Sequence, residues 1–287
     1  MNKTTLIKEY WILTKPGIIF GNAVTAIAGF VLASKGNINV VLFLAMLLGL
    51  SLVIASACVW NNYFDRAMDE KMARTKNRAL VKGVISIQNA LLFGMILGLV
   101  GLSVLFIFTN VLTVAMAACG FFTYVVLYGF SKYKTSFGTV IGSVSGAIPP
   151  VVGYTAVSNC IDLGALILFF IVVAWQMPHF YAIAMFRLED YSKASIPVLP
   201  VSSGIHTAKV HSLLWVIAFA VASLLLTLAG YTGYIYFAVS CALSVAWLYL
   251  SLQGFTTTND QAWARKMFML SLFIIMAQAI SICLDCK

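Results

Sequence analysis

The sequence predicts an all-α integral membrane protein with nine transmembrane helices. Three observations carry this reading. Hydrophobic residues make up 62% of the 287 residues and charged residues only 9%, where a soluble domain carries about 25% charge. Mean hydropathy is +0.98. Apolar runs of roughly 20 residues, the length that spans a bilayer, recur along the whole chain.

The elements follow in order. Residues 5–14, with Leu6, Ile7, Tyr10 and Trp11, read as a helix lying in the membrane interface. A signal peptide is not expected, because the next apolar run is long and no small-x-small cleavage site is evident. Spans are expected at about 17–34, 39–60, 88–108, 110–130, 138–158, 163–184, 210–230, 232–253 and 266–284, forming a single domain over 1–287. The run at 138–158 is the least apolar. It opens Gly138-x-x-x-Gly142-x-x-x-Gly146, a spacing that lets helices approach closely. Pro149-Pro150 are expected to end or kink that helix, and Pro178 to do the same in the following one. The loops at 61–87 and 185–209 are long, follow spans 2 and 6, and hint at an internal pseudo-repeat.

The net charge of +9 is sorted by side rather than clustered as a nucleic-acid patch. With the N-terminus inside, sixteen of the eighteen lysines and arginines fall in inside segments; Lys35 and Lys287 are the exceptions. The positive-inside rule then places the N-terminus in the cytoplasm and, with nine spans, the C-terminus outside. Seven of the nine acidic residues lie on the same side, so function is expected at the cytoplasmic face. Cys58, Cys119 and Cys241 fall within spans and read as packing residues. Cys283-x-x-Cys286 reads as two unrelated small residues ahead of a redox pair, since no histidine follows for haem attachment and no second pair suggests zinc.

The chemistry-bearing residues form two groups. Asn61, Asp65 and Asp69 recur every fourth residue, which stacks them on one helical face. They are oxygen ligands of the kind that hold Mg²⁺, an ion usually shared with substrate phosphates. Arg74 and Arg78 follow at once, so a diphosphate site is expected. The second group lies after span 6: His179, Arg187, Asp190 and Lys193. Asp190 is a candidate for a second Mg²⁺, and Arg187 and Lys193 for phosphate oxygens. Lys132 is either a topology signal or a further contact for the anion. His179 is either hydrogen-bonded structure or a ligand to a metalloporphyrin, histidine being a common axial ligand of haem. His206 and His211 read as surface residues. Aromatic residues near the inner span ends, Tyr63, Phe64, Phe122, Tyr124, Tyr128, Phe180 and Tyr181, read mostly as core and interface anchors, with some available to line an isoprenoid slot and stabilise an allylic cation.

Asn61-x-x-x-Asp65-x-x-x-Asp69 on the second of nine helices resembles the UbiA-type intramembrane prenyltransferases. Four segments are similar to their protohaem IX farnesyltransferase (haem O synthase) branch: 14–17 (Thr-Lys-Pro-Gly), 74–80 (Arg-Thr-Lys-Asn-Arg-Ala-Leu), 141–150, and 175–180 (Trp-Gln-Met-Pro-His-Phe) continuing through Asp190-Tyr191 to Pro197-Val198-Leu199-Pro200-Val201. The chain departs from the superfamily in carrying Asn62 where many members have Asp. It also has Phe186 four residues before Asp190, which leaves Asp190 as the carboxylate of the second motif. The resemblance implies a UbiA-type bundle with a cytoplasmic-side site in the bacterial inner membrane. It implies catalytic Asp65, Asp69 and Asp190, with Mg²⁺ on Asn61, Asp65, Asp69 and Asp190. Arg74, Arg78, Lys132 and Lys193 would bind diphosphate, and His179 would contact haem. The implied reaction transfers farnesyl from farnesyl diphosphate to a vinyl group of haem b with addition of water. The implied partner downstream is a haem-copper oxidase or its assembly machinery.

Three rival readings follow from the same residues. The first is the same chemistry on a quinone-precursor ring, which the Pro-His-Phe segment disfavours. The second is a transporter, which would place charge near mid-membrane. The third is a haem-binding assembly factor, which would not need the diphosphate constellation.

Overall fold

A computed structural model describes residues 3–287, and apart from one bridge between Thr232 and Cys286 its regular structure is helical. A first helix, α1 (Lys3–Leu13), leads into the bundle. Among the described residues, nine helices are long and apolar enough to cross a membrane. They are α2 (Pro16–Ser34), α3 (Val40–Asp69), α4 (Ile87–Phe108), α5 (Val111–Ser131), α6 (Gly138–Ser158), α7 (Leu163–Phe186), α9 (Leu199–Leu228), α10 (Tyr234–Gln253) and α11 (Asp260–Asp285). A short helix, α8 (Leu188–Lys193), lies between α7 and α9. The chain is a multi-pass membrane protein. Asn39, Ser86, Asn110, Asp162 and Asn259 each accept a first-turn N–H and start α3, α4, α5, α7 and α11.

Two helices sit between two packs. On one side α3, α4 and α5 share a core with α2 and α6 through Phe30, Met46, Leu105, Ala117 and Val152. On the other, α7, α9, α10 and α11 share a core with the same two helices through Leu32, Tyr154, Met177, Phe219 and Trp247. The central pair must therefore pack closely. A Cβ on Gly29 of α2 would fall on the Pro150 carbonyl, and one on Gly153 of α6 on the Ala26 carbonyl. Glycine at both positions lets the backbones touch, which is how helices associate where lipid offers no hydrophobic drive.

This position explains why α6 is the least apolar span. In α6 72% of the span is buried inside the protein, against 17% in α4, so its small and polar residues face protein rather than lipid. Gly138, Gly142 and Gly146 pack against the Lys132 backbone, the Tyr128 ring and the Gln176 amide. The helix breaks at Ala147, and Pro149 and Pro150 fill the first turn of its second half, as their missing N–H groups favour.

Three expectations change. The second span does not stop near residue 60 but continues as helix to Asp69, so the 61–87 loop is shorter, and the acidic motif lies on one helical face as its spacing leads one to expect. Pro178 does not end α7, which runs on to Phe186. The 185–209 loop is largely helical, because α8 forms inside it and α9 begins at Leu199, with one non-helical residue at Gly204.

The glycine contacts give a direct test. Gly29→Val places a side chain on a carbonyl that cannot move without shifting α6, and overpacking of that kind costs about 3 kcal/mol. The thermal midpoint of the detergent-solubilised protein should fall, whereas Gly21→Ala, where nothing lies within 4 Å of the added carbon, should leave it unchanged.

Candidate active site

At 1.5 Å per residue a thirty-residue helix is about 45 Å long, against a hydrocarbon core of about 30 Å. The last turns of α3 therefore leave the apolar zone, and they carry Asn61, Asn62, Asp65 and Asp69. Helical spacing puts Asn61, Asp65 and Asp69 on one face, and each meets a different partner.

Asp65 Oδ1 takes the Lys132 ammonium and the Tyr133 hydroxyl, each at 2.5 Å. Both partners come from the turn after α5. Upstream of them, residues Thr123–Tyr128 form a wider π-helical turn, a feature frequent at functional sites. Burial lowers the pKa of Lys132, and the Asp65 charge opposes that. Burial and the same carboxylate raise that of Tyr133, so it is a donor.

Asp69 is buried and its Oδ2 takes Arg78 at 2.5 Å. The loop is folded back to make this contact. Thr75 donates its hydroxyl to the Asp69 carbonyl at 2.9 Å. Ala79 and Leu80 are buried against Leu13, Val59 and Ala90.

Asn61 Oδ1 accepts from the Lys15 ammonium at 2.7 Å and from the Tyr124 hydroxyl at 3.4 Å. Lys15 sits in a left-handed turn between α1 and α2. Asn62 holds that turn, donating its amide to the Leu13 carbonyl at 2.8 Å. An ionised Asp at position 62 has no proton to donate there. Lys15 thus reaches the site with a neutral amide as its partner, and burial of its ammonium lowers its pKa to about 8. Tyr124, whose hydroxyl meets Asn61, stacks on Tyr128 at 5.6 Å between ring centres.

The second half-site arrives from α7 and α8. Met72 of the first loop packs with Ala194 and Ile196 of the second, and Tyr133 and Tyr191 join them. Tyr191 is where the two halves meet. Burial raises its pKa, and the nearby charges of Arg74 and Arg187 oppose the rise. Asp190 faces Arg187 at 3.7 Å. Lys193 is not drawn in, being 70% exposed and opposite Glu189 at 3.8 Å. Among the described residues, Asp190 does not join Asp65 and Asp69 in a three-carboxylate group. His179 lies elsewhere, buried between α7 and α11, and its ring and hydrogen-bond contacts include no residue of the acidic cluster. His206 and His211 are exposed on α9, as expected.

The donor set fits a hard cation. Every candidate ligand is an oxygen, and the Asp65 Oδ2 and Asp69 Oδ1 atoms have no protein partner among the described residues. Asn61 Nδ2 and Asn62 Oδ1 are buried without partners, which costs free energy until something pairs with them. Asp65 and Asp69 are each matched by a cation, while Lys15, on Asn61, and Arg74, exposed near Tyr191, have no carboxylate partner among the described residues. A surplus of positive charge around two carboxylates suits a metal-bridged anion.

Residues 22–273 match the UbiA prenyltransferase family. The chain belongs to that family. Its relatives include the protoheme IX farnesyltransferases of Yersinia pseudotuberculosis serotype O:1b (strain IP 31758) and of Sodalis glossinidius (strain morsitans), each 52% identical over 98% of this chain and 95% of its own. Solved structures share the fold. A digeranylgeranylglyceryl phosphate synthase superimposes with a TM-score of 0.81 at 20% identity, covering 98% of both chains. A UbiA homologue from Archaeoglobus fulgidus bound to GPP and Mg²⁺ gives 0.71 at 15% identity, covering 96% of this chain and 99% of the other.

Sequence reasoning named the acidic motif and Arg78 but gave no role to Lys15, Tyr133 or Asn62. The available signal for Lys15 was a lysine directly before Pro16, at the mouth of an apolar span.

Lys15 yields a prediction with a definite sign. Its folded pKa lies below the ordinary lysine value, so below about pH 8 the fold bears the full cost of burying the ammonium. Between pH 8 and 10.5 the unfolded chain binds more protons, and stability from this group rises with pH. Lys15→Met should therefore raise the thermal midpoint of the substrate-free protein at pH 7. The gap over the parent should close toward pH 10.

Proposed function

We propose that this protein transfers the farnesyl group of farnesyl diphosphate to a vinyl group of haem b, with addition of water, giving haem O and diphosphate. The observation that carries the proposal is the cluster at the end of α3: Asp65 and Asp69 each held by one cation, with Lys15 and Arg74 left over for an anion. The 52% identity to protoheme IX farnesyltransferases over nearly the whole chain supports this acceptor over a quinone-precursor ring.

Asp65 and Asp69 would hold Mg²⁺ through the oxygens that the cations leave open, with Asn61 beside them. Asp190, paired with Arg187, is the candidate ligand from the second half-site. The archaeal relative bound to GPP and Mg²⁺ supports metal use. The ion supplies Lewis-acid stabilisation of the departing diphosphate.

The chain's own residues do the rest. Arg78, Lys132, Lys15 and Arg74 share the negative charge that builds on the diphosphate as the C1–O bond breaks. Lys193, exposed at the rim, attracts the anion rather than enclosing it. The ring faces of Tyr124 and Tyr128 stabilise the allylic cation. The vinyl π electrons form the new carbon–carbon bond to C1. Water adds to the porphyrin-side cation and loses its proton. A vinyl group needs no base to activate it, which fits a site built from cations, carboxylates and aromatic rings. The alternation of basic segments supports a cytoplasmic N-terminus and site in a bacterial inner membrane. The family resemblance implies that the product serves a haem-copper oxidase.

The test uses purified protein with haem b, farnesyl diphosphate and Mg²⁺, and mass analysis of the extracted haems. A new haem heavier by one farnesyl group plus water, lost with EDTA, is expected. Asp65→Ala should lower turnover by about 10³-fold or more, as loss of an electrostatic transition-state contact does, while the protein stays folded. Diphosphate release only with a phenolic acceptor would move the acceptor to the quinone-precursor class, and substantial activity of Asp65→Ala would remove the site.

A further inference from the structure

A cavity of about 150 Å³ lies between α1, the end of α3 and the loop that follows it. Asn62 and Asp69 line it from inside, where both are buried. Glu9, half-buried, and Ile12, 48% exposed, line it from α1 at the protein surface. Lys15 and Arg78 complete its polar wall.

That wall has unmet hydrogen-bonding capacity of both kinds. Asn62 Oδ1 is an acceptor on a residue only 3% exposed, and no donor reaches it. The Glu9 carboxylate makes no ion pair among the described residues. The Lys15 ammonium has three hydrogens to give, and Asn61 Oδ1 takes one of them. Glu9 and Asp69 disfavour an anion in this cavity, and Lys15 and Arg78 disfavour a cation. Water both gives and takes, and buried polar groups without partners are where internal waters sit. At about 30 Å³ each, several water molecules fit.

Lys15 joins this cavity to the candidate active site. The residue lines the cavity, and its ammonium donates to Asn61, which the Tyr124 hydroxyl also meets. The chemistry proposed above needs water at one step only. Once the vinyl π electrons have bonded to C1, the porphyrin-side carbon is a cation with two exits. Water can add its oxygen there and lose one proton, which gives the alcohol. Alternatively, the neighbouring carbon can lose a proton, which gives an alkene lighter by one water. A site lined by aromatic rings favours the alkene unless a water is held within reach.

We propose that the cavity beneath α1 is the water chamber of the reaction: its waters supply the hydroxyl oxygen, and the proton released leaves along them, past Glu9, to solvent. Glu9 and Asn62 are positioning residues that order those waters, and Lys15 hands them to the site. The proposal deepens the haem-acceptor reading and rests on it.

The experiment runs the full-length protein in detergent with haem b, farnesyl diphosphate and Mg²⁺, extracts the haems without strong acid, and measures by mass the ratio of hydrated to dehydrated farnesylated haem. The parent protein should give the hydrated product. Glu9→Leu should lower the ratio about tenfold, the effect of one hydrogen bond of ordinary strength, and Glu9→Gln, which keeps an acceptor oxygen, should restore it. Ile12→Trp, which narrows the rim from an exposed position, should lower the ratio too, and it decides alone if Glu9→Leu fails to fold. A parental ratio in folded Glu9→Leu and Ile12→Trp overturns the proposal, even where turnover is slower, because a merely structural role changes the rate and not the ratio. Farnesylated haem that is hydrated in every variant sinks the chamber alone. No farnesylated haem of either mass from the parent sinks the acceptor reading, and the chamber with it.

Discussion

Asp65 and Asp69 sit where the longest helix of the first half leaves the bilayer, and each is matched by a cation delivered from elsewhere in the chain. Lys132 comes from the turn after α5, and Arg78 from a loop folded back under α1. A carboxylate at the edge of a hydrocarbon phase is tolerable only when paired, so these pairings dictate the loops around them. The Thr75 hydroxyl, the burial of Ala79 and Leu80, and the left-handed turn at Lys15 all serve to bring cations to one end of one helix. The resulting arrangement is close to charge-neutral at its carboxylates but holds cations in reserve, an imbalance that suits the metal-bound diphosphate proposed above.

The bundle behind the cluster is arranged to keep it fixed. The two central helices, α2 and α6, touch backbone to backbone at Gly29 and Gly153, and α2 begins beside Lys15. The first half of α6 packs against the Tyr128 ring through Gly142 and against Gln176 of α7 through Gly146, so small residues set the distance between the two half-sites. The second half-site is held less tightly. Asp190 meets Arg187 at 3.7 Å, and Lys193 stays in solvent.

Much of this was legible in the sequence, for physical reasons. The nine spans follow from the length and apolarity that lipid demands, and the fourth-residue recurrence of Asn61, Asp65 and Asp69 marks a helical face wherever the span is drawn. The end of α3 was drawn too early because charge looks like a loop to a hydropathy reading, although a helix continues beyond the bilayer at no cost. Pro178 reads as a stop or a kink in a span expected to reach about residue 184, and α7, largely enclosed by neighbours, carries on through it to Phe186. The partners of Tyr133 and Lys15 were out of reach. Each acts through a contact made across at least 46 residues of chain, and residue type alone does not reveal such pairing.

The central claim is that the cations now pairing with Asp65 and Asp69 are held for a metal-bridged diphosphate. Its most direct test is calorimetric titration of the purified protein with a non-hydrolysable farnesyl diphosphate analogue, at fixed pH and salt, with and without Mg²⁺, and the converse titration of Mg²⁺ with and without the analogue. The account predicts mutual strengthening of about tenfold or more in both directions, equal within error because linkage is reciprocal, and its loss in Asp65→Ala. Analogue binding that is indifferent to Mg²⁺, with Asp65→Ala binding as the parent does, would contradict it.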